Sequence, residues 1–120
     1  MSVSTRTVSI VTSAPGSEWS KKFVCGMLDR MGVSYFKYGK VKDAYPDKVD
    51  AIASLEQRLQ AYRETGNTEF LMDVANFAMI EFMCPRHPEA HYRPTDSDES
   101  PGRTGVKGGR NSNSNTSRIW

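Results

Sequence analysis

The stretch from Glu64 to Gly102, ETGNTEFLMDVANFAMIEFMCPRHPEAHYRPTDSDESPG, decides how the rest of the chain is read. It opens on a tight turn, Thr65-Gly66-Asn67, where Gly66 can end one helix in the left-handed conformation and Asn67 or Thr68 can cap the next. From Glu69 to Cys84 almost every position is apolar, which predicts a nearly continuous helix that is greasy around most of its circumference. The exceptions are Glu69, Asp73, Asn76 and Glu81. At about 100° per residue the first three fall within roughly 60° of one another, and Glu81 lies off that line. A narrow polar seam is therefore expected along an apolar cylinder.

On the N-terminal side of the turn, Asp47 is expected to cap a helix running through Glu64, with Asp50 in its first turn. Its apolar residues Ile52, Leu55, Leu59 and Tyr62 form one stripe, and the opposite face is charged. Joined at Gly66, the two helices predict an antiparallel αα-hairpin. One stripe cannot cover a helix that is apolar all round. A patch containing Phe70, Met72, Phe77, Met79, Phe82 and Met83 would exceed what monomers usually expose, so a homo-oligomer is expected.

Further upstream, residues 7–12 alternate as a short strand, and Ser13-Ala14-Pro15-Gly16 breaks it. Ser17 then caps a helix carrying Trp19, Phe23, Met27, Leu28 and Met31, which Gly32 stops. Residues 33–38 are rich in β-preferring side chains and predict a second strand, completing a β-α-β unit. Residues 39–46 form a basic connection. The expected fold class is thus α+β. It comprises a β-α-β unit over about residues 5–40, a helical hairpin over about 47–84 and an ordered His- and Pro-rich loop over 85–102, in one domain of residues 1–102. The Gly-, Ser- and Asn-rich residues 103–120 read as a disordered tail.

Sixteen basic residues against fourteen acidic ones give a net charge of +2, too small to commit the chain to nucleic acid or a membrane surface. No run approaches the roughly 18 apolar residues of a membrane span, and residues 1–20 lack the pattern of a signal peptide, so a cytoplasmic location is expected. Cys25 and Cys84 are far apart and flanked by apolar residues, as reduced, buried thiols usually are.

Three readings compete for the seam: a plain solvent face, a structural ion-pair network, or a ligand site. It carries acceptors and no cation, which suits partners with donors, such as Arg63, Arg86 or Arg93. The segment Cys84-Pro-Arg-His87-Pro-Glu-Ala-His91 has a spacing compatible with zinc, but the triplet lacks a second close pair and no metal is assigned. Histidines beside Arg86, Tyr92 and Arg93 instead suit a phosphate and a stacked ring. Cys84 ends an apolar helix, an environment that raises rather than lowers a thiol pKa, so no catalytic nucleophile is assigned. The strand-loop-helix passage near residue 15 lacks both glycine-rich phosphate motifs.

A helical hairpin with carboxylates on its inner faces resembles the all-α MazG-type nucleoside-triphosphate pyrophosphatases. That resemblance implies a magnesium site made of an E-x-x-E pair and an E-x-x-D pair. Here Glu69 and Asp73 stand four residues apart and Glu56 is followed by Arg near the matching turn, so the metal box is missing. The run YRETGNTEFLMDVANFAMIEFMCPRHPEAHYRPTDSDESPG also resembles a segment of small, uncharacterised proteins of bacteriophages and prophages. That likeness implies a host-directed role in the bacterial cytoplasm, as a sponge for a nucleotide-derived defence signal or as an inhibitor of a host protein.

The leading expectation is a non-catalytic, oligomeric protein binding a nucleotide-like ligand, with no cofactor. Arg63, Arg86 and Arg93 would hold negative charge, helped by His87 and His91. Glu69, Asp73 and Asn76 would read donors or orient the arginines, and Phe77 or Tyr92 would stack. An inhibitor binding a host protein and a pyrophosphatase are the alternatives.

Overall fold

A computed structural model describes residues 12–103, which divide after Ala90 into two units. The described part of the first, up to Ala90, holds every helix among the described residues. A 3-10 turn at Gly16–Glu18 precedes α1 (Lys21–Tyr38), α2 (Val41–Ala44), α3 (Ala51–Thr65) and α4 (Glu69–Met83). No strand occurs among the described residues. The expected α+β class is therefore corrected to all-α. Residues 7–11 of the first expected strand, and residues 104–120 of the expected tail, lie outside the described residues.

The second expected strand, residues 33–38, is the C-terminal third of α1. Gly32 does not stop that helix, because a glycine inside a helix costs only about 1 kcal/mol. The stop comes at Gly39, whose φ of 86° suits glycine and whose N–H donates to the Tyr35 carbonyl. β-preference is a weak bias, whereas a helix satisfies its own backbone groups and a strand needs a neighbour to do so. The start of α1 is fixed by Ser20, whose Oγ accepts the Phe23 N–H at 2.9 Å. Ser17, the expected cap, sits in the 3-10 turn and donates instead to the Glu18 carboxylate.

The hairpin of α3 and α4 forms around Gly66, which has φ 74° and donates its N–H to the Tyr62 carbonyl. Asn67 Oδ1 accepts the Glu69 N–H at 3.0 Å, while Thr68 makes no side-chain cap bond. Asp50 caps α3 by accepting the Ala53 N–H at 3.0 Å, three residues later than the expected start at Asp47. The short helix α2 occupies part of the expected open connection, and the chain reaches Asp50 through a turn in which Lys48 and Val49 both donate to the Ala44 carbonyl.

Helix α4 lies at the centre, with α3 on one side and α1 on another, as its apolar circumference requires. Ala51 and Ile80 are the buried apolar side chains among the described residues. The face of α3 turned inward is centred on Ala51, Leu55, Arg58 and Tyr62, while Ile52 is exposed. Helices α1 and α4 meet at Gly26, where a Cβ would stand 2.7 Å from Met72 Cε and 2.9 Å from its Sδ. Gly26→Ala can be accommodated, since the methionine terminus is flexible. Gly26→Leu is expected to prise α1 from α4 and cost about 2 kcal/mol, read as a lower urea midpoint.

Among the described residues no helix is long and apolar enough to cross a membrane. Cys25 and Cys84 are free thiols and half-buried. In the second unit, Asp96 and Glu99 close a reciprocal turn. Asp96 Oδ1 accepts the Asp98 and Glu99 N–H groups, and Glu99 Oε1 accepts the Asp96 N–H. Arg93 donates to Glu99 at 3.0 Å, and this bond holds the glutamate carboxyl below its ordinary pKa.

Candidate functional site: a cationic groove between α1, α3 and α4

The seam on α4 turns inward as it descends. Glu69, at its top, is more than half exposed, the Asp73 side chain retains 17% of its accessible surface, and Asn76 is buried at 6%. Its partners come from α1 and α3. Arg30 Nε donates to Asp73 Oδ1 at 2.8 Å and Arg30 Nη1 to Glu69 Oε2 at 2.6 Å. Arg58 Nε donates to Asp73 Oδ2 at 3.3 Å. One carboxylate thus holds two guanidinium groups, one per oxygen, and ties three helices at a single point. The hydrogen bond to Asp73 raises the Arg30 pKa above its ordinary value, against the opposing effect of burial.

Below this junction Asn76 Nδ2 donates to the Met27 carbonyl at 2.9 Å, which links α4 to α1 a second time. Asn76 Oδ1 is buried without a partner among the described residues. Beside it the guanidinium of Arg58 lies over the Phe77 ring, 5.5 Å from the centroid. That is a cation–π distance.

Arg30, Arg58, Asp73, Asn76 and Phe77 line a groove of about 500 Å³. Its other walls include Asp29, Lys37 and Tyr38 of α1, and Tyr45 just beyond α2. Ile80 forms part of the floor. Three cations, Arg30, Lys37 and Arg58, therefore face two acids, Asp29 and Asp73, and three aromatic rings lie among them. Burial pushes the Tyr45 phenol above its ordinary pKa, offset in part by the positive charge of Arg58, so the hydroxyl stays protonated and can donate. A guanidinium carries five N–H donors. Arg30 and Arg58 each engage two of them in the bonds to Glu69, Asp73 and Gln57.

Of the residues expected from the sequence, Asp73, Asn76 and Phe77 line the groove, and Glu69 stands at its edge through Arg30. Arg63, in the last turn of α3, is exposed and is not the partner of the seam. Arg86 is exposed too, donating to the Pro46 carbonyl at 3.1 Å and lying 3.9 Å from Asp50, while its backbone N–H donates to Glu81. His87 Nδ1 accepts the Glu89 N–H in a local turn. His91, Tyr92 and Arg93 belong to the second unit, where all three are exposed. Among the described residues no group of three or more His, Cys, Asp and Glu is placed to hold a metal ion, and Cys84, His87 and His91 form no such group.

The arginines that meet the seam, Arg30 and Arg58, were not singled out by sequence reasoning, nor were Lys37, Tyr38 and Tyr45. The signal for the first two lies in their position. Arg30 interrupts the inward stripe of α1 between Met27 and Ser34, and Arg58 interrupts that of α3 between Leu55 and Leu59. A charge inside an apolar stripe needs a partner opposite, and the only acids in the apolar α4 segment are Glu69, Asp73 and Glu81. Comparison of the chain with family models, with curated proteins and with solved structures finds no match in any of the three.

Proposed function

We propose that the chain is a non-catalytic binding protein whose groove takes an anionic ligand bearing a planar ring, of nucleotide-like chemistry. The observation that carries this reading is the convergence of Arg30, Lys37 and Arg58 with Tyr38, Tyr45 and Phe77 around about 500 Å³. Small-ligand sites commonly have volumes of about 300–1,000 Å³. Phosphate oxygens suit guanidinium forks and an ammonium, and a base suits the rings. The acids of the seam support binding over turnover. Asp73 is engaged by both arginines and Glu69 by one, so neither is poised as a general base or as a magnesium ligand of a pyrophosphatase. Binding without turnover suits a protein that sequesters its ligand.

Calorimetric titration with nucleosides, nucleoside mono- and diphosphates and inorganic pyrophosphate tests the reading. The full chain is expected to bind a nucleoside diphosphate more tightly than either the nucleoside or pyrophosphate alone. Lys37 is exposed, so Lys37→Ala is expected to weaken that binding about tenfold while leaving the thermal midpoint unchanged. Equal affinity of Lys37→Ala and the parent, or no heat with any of these compounds, contradicts the proposal.

A second reading, an inhibitor that binds another protein through its apolar helix surface, draws on Phe82 and Met83, which are 75% and 53% exposed at the end of α4. Loss of binding to a partner protein in Phe82→Ser, with nucleotide titrations silent, would favour it.

A further inference from the structure

Helix α1 is apolar on two opposite sides. The side against α4 is marked by three contacts: Gly26 on Met72, the Met27 carbonyl on Asn76, and Arg30 on Asp73. About 180° away at helical spacing stand Cys25, Leu28, Gly32, Tyr35 and Phe36. Apart from the half-buried Cys25, this outer side is bare. Leu28 is 38% exposed, Tyr35 56% and Phe36 88%, and no atom comes within 4 Å of where a Gly32 Cβ would be. The rings of Tyr35 and Phe36 meet edge to face at 6.0 Å and present one continuous aromatic surface.

We propose that this face docks a second copy of the chain, with the two α1 helices crossing antiparallel about a two-fold axis at Gly32. The face is self-complementary under that operation. Leu28 and Phe36 lie four residues on either side of Gly32, so Leu28 of one copy packs against the partner's Phe36, and the reverse contact follows by symmetry. A glycine at the crossing point lets the two backbones approach closely, where a bulky side chain would hold them apart.

Between Leu28 and Phe36 the charged residues are Asp29 and Arg30: Arg30 is turned to α4 by its bonds to Asp73 and Glu69, and Asp29, seven residues before Phe36, borders the outer side. Each copy therefore brings a single charge to the rim of the contact and none to its centre. The two rings of each copy remove on the order of 300 Å² from water, about 600 Å² for the pair. Leu28 and the helix backbone around Gly32 extend this toward the roughly 1,200 Å² at which specific interfaces begin. The sequence placed self-association on the apolar surface of α4. That helix is flanked by α1 and α3, and the larger exposed aromatic surface is carried by α1.

This inference does not rest on the groove, since Leu28, Gly32, Tyr35 and Phe36 do not line it. Sedimentation equilibrium of the full chain tests it. The parent is expected at twice the monomer mass. Phe36→Glu, on a side chain that is almost wholly exposed, is expected to keep the parent circular dichroism and to raise the dimer dissociation constant at least a hundredfold. Gly32→Cys, in a chain whose Cys25 and Cys84 are changed to Ser, places two thiols on the axis. It is expected to yield a disulfide-linked dimer on mild oxidation, which requires Cα atoms within about 7 Å. A parent that stays monomeric at tenths of a millimolar overturns the proposal. So does a dimer indifferent to Phe36→Glu, or a dimer in which Gly32→Cys fails to cross-link. Should Phe36→Glu lose its helical signal, the cross-linking result alone decides.

Discussion

Asp73→Ala is expected to lower the stability of the helical unit by about 2 kcal/mol and to move its urea midpoint accordingly. The carboxylate is the one group that both guanidinium ions of the junction share, at 2.8 Å from Arg30 and 3.3 Å from Arg58. Removing it leaves two like charges converging on a site whose central residue keeps only 17% of its side-chain surface. A fully buried pair broken from one side costs about 3–5 kcal/mol. The arginines here are 38% and 36% exposed, and water recovers part of that loss. The triple change Asp73→Leu, Arg30→Met and Arg58→Met should restore most of the stability, because no charge is then left unpaired. If Asp73→Ala unfolds at the parent midpoint, the junction is not what ties α1 to the hairpin.

Ile80→Ala is expected to cost more, about 3 kcal/mol. Ile80 retains 4% of its accessible surface, and the other buried apolar residue among those described is the much smaller Ala51. A helical unit of this size has a total stability of only about 5 kcal/mol or a little more. Truncating the larger of these two side chains would leave about 2 kcal/mol, with about 3% of the chain unfolded at 25 °C, and would be read as a lower thermal midpoint. Ile80 also lines the groove, so the variant should weaken ligand binding by removing part of its wall. Ile80→Val, which removes a single methylene, is expected to cost about 1 kcal/mol and keep the groove.

What could be read ahead of the structure follows the strength of the local signals. The hairpin was legible because Gly66 supplies a backbone conformation that few other residues adopt, and because a fifteen-residue segment with four polar positions admits little besides a largely buried helix. The N-terminal half was misread because Gly32 and the run Val33 to Tyr38 carry signals worth only about 1 kcal/mol each, and the continuing helix outweighs both. Exposure shows why pattern alone failed there. Val33, Tyr35 and Phe36 are apolar yet largely unburied in this chain, so their arrangement does not report a core.

The site divides the same way. Asp73, Asn76 and Phe77 share one helix and their register could be counted, whereas Arg30 lies 43 residues before Asp73 and Arg58 15 before it. Spacing within an element is local arithmetic; which helix faces which is not. Arg63, Arg86 and Arg93 were attractive because they are close in sequence to the seam, but Arg86 and Arg93 hold other loops and Arg63 stands at the exposed end of α3.

Side-chain nitrogen NMR of arginine most directly tests the central claim that the groove is a binding site. On titration with a nucleoside diphosphate, the Nε–H signals of Arg30 and Arg58 are expected to move together and saturably, while those of Arg63, Arg86 and Arg93 stay in place. Unmoved Arg30 and Arg58 signals at saturating nucleotide, or movement confined to Arg86 and Arg93, would contradict it.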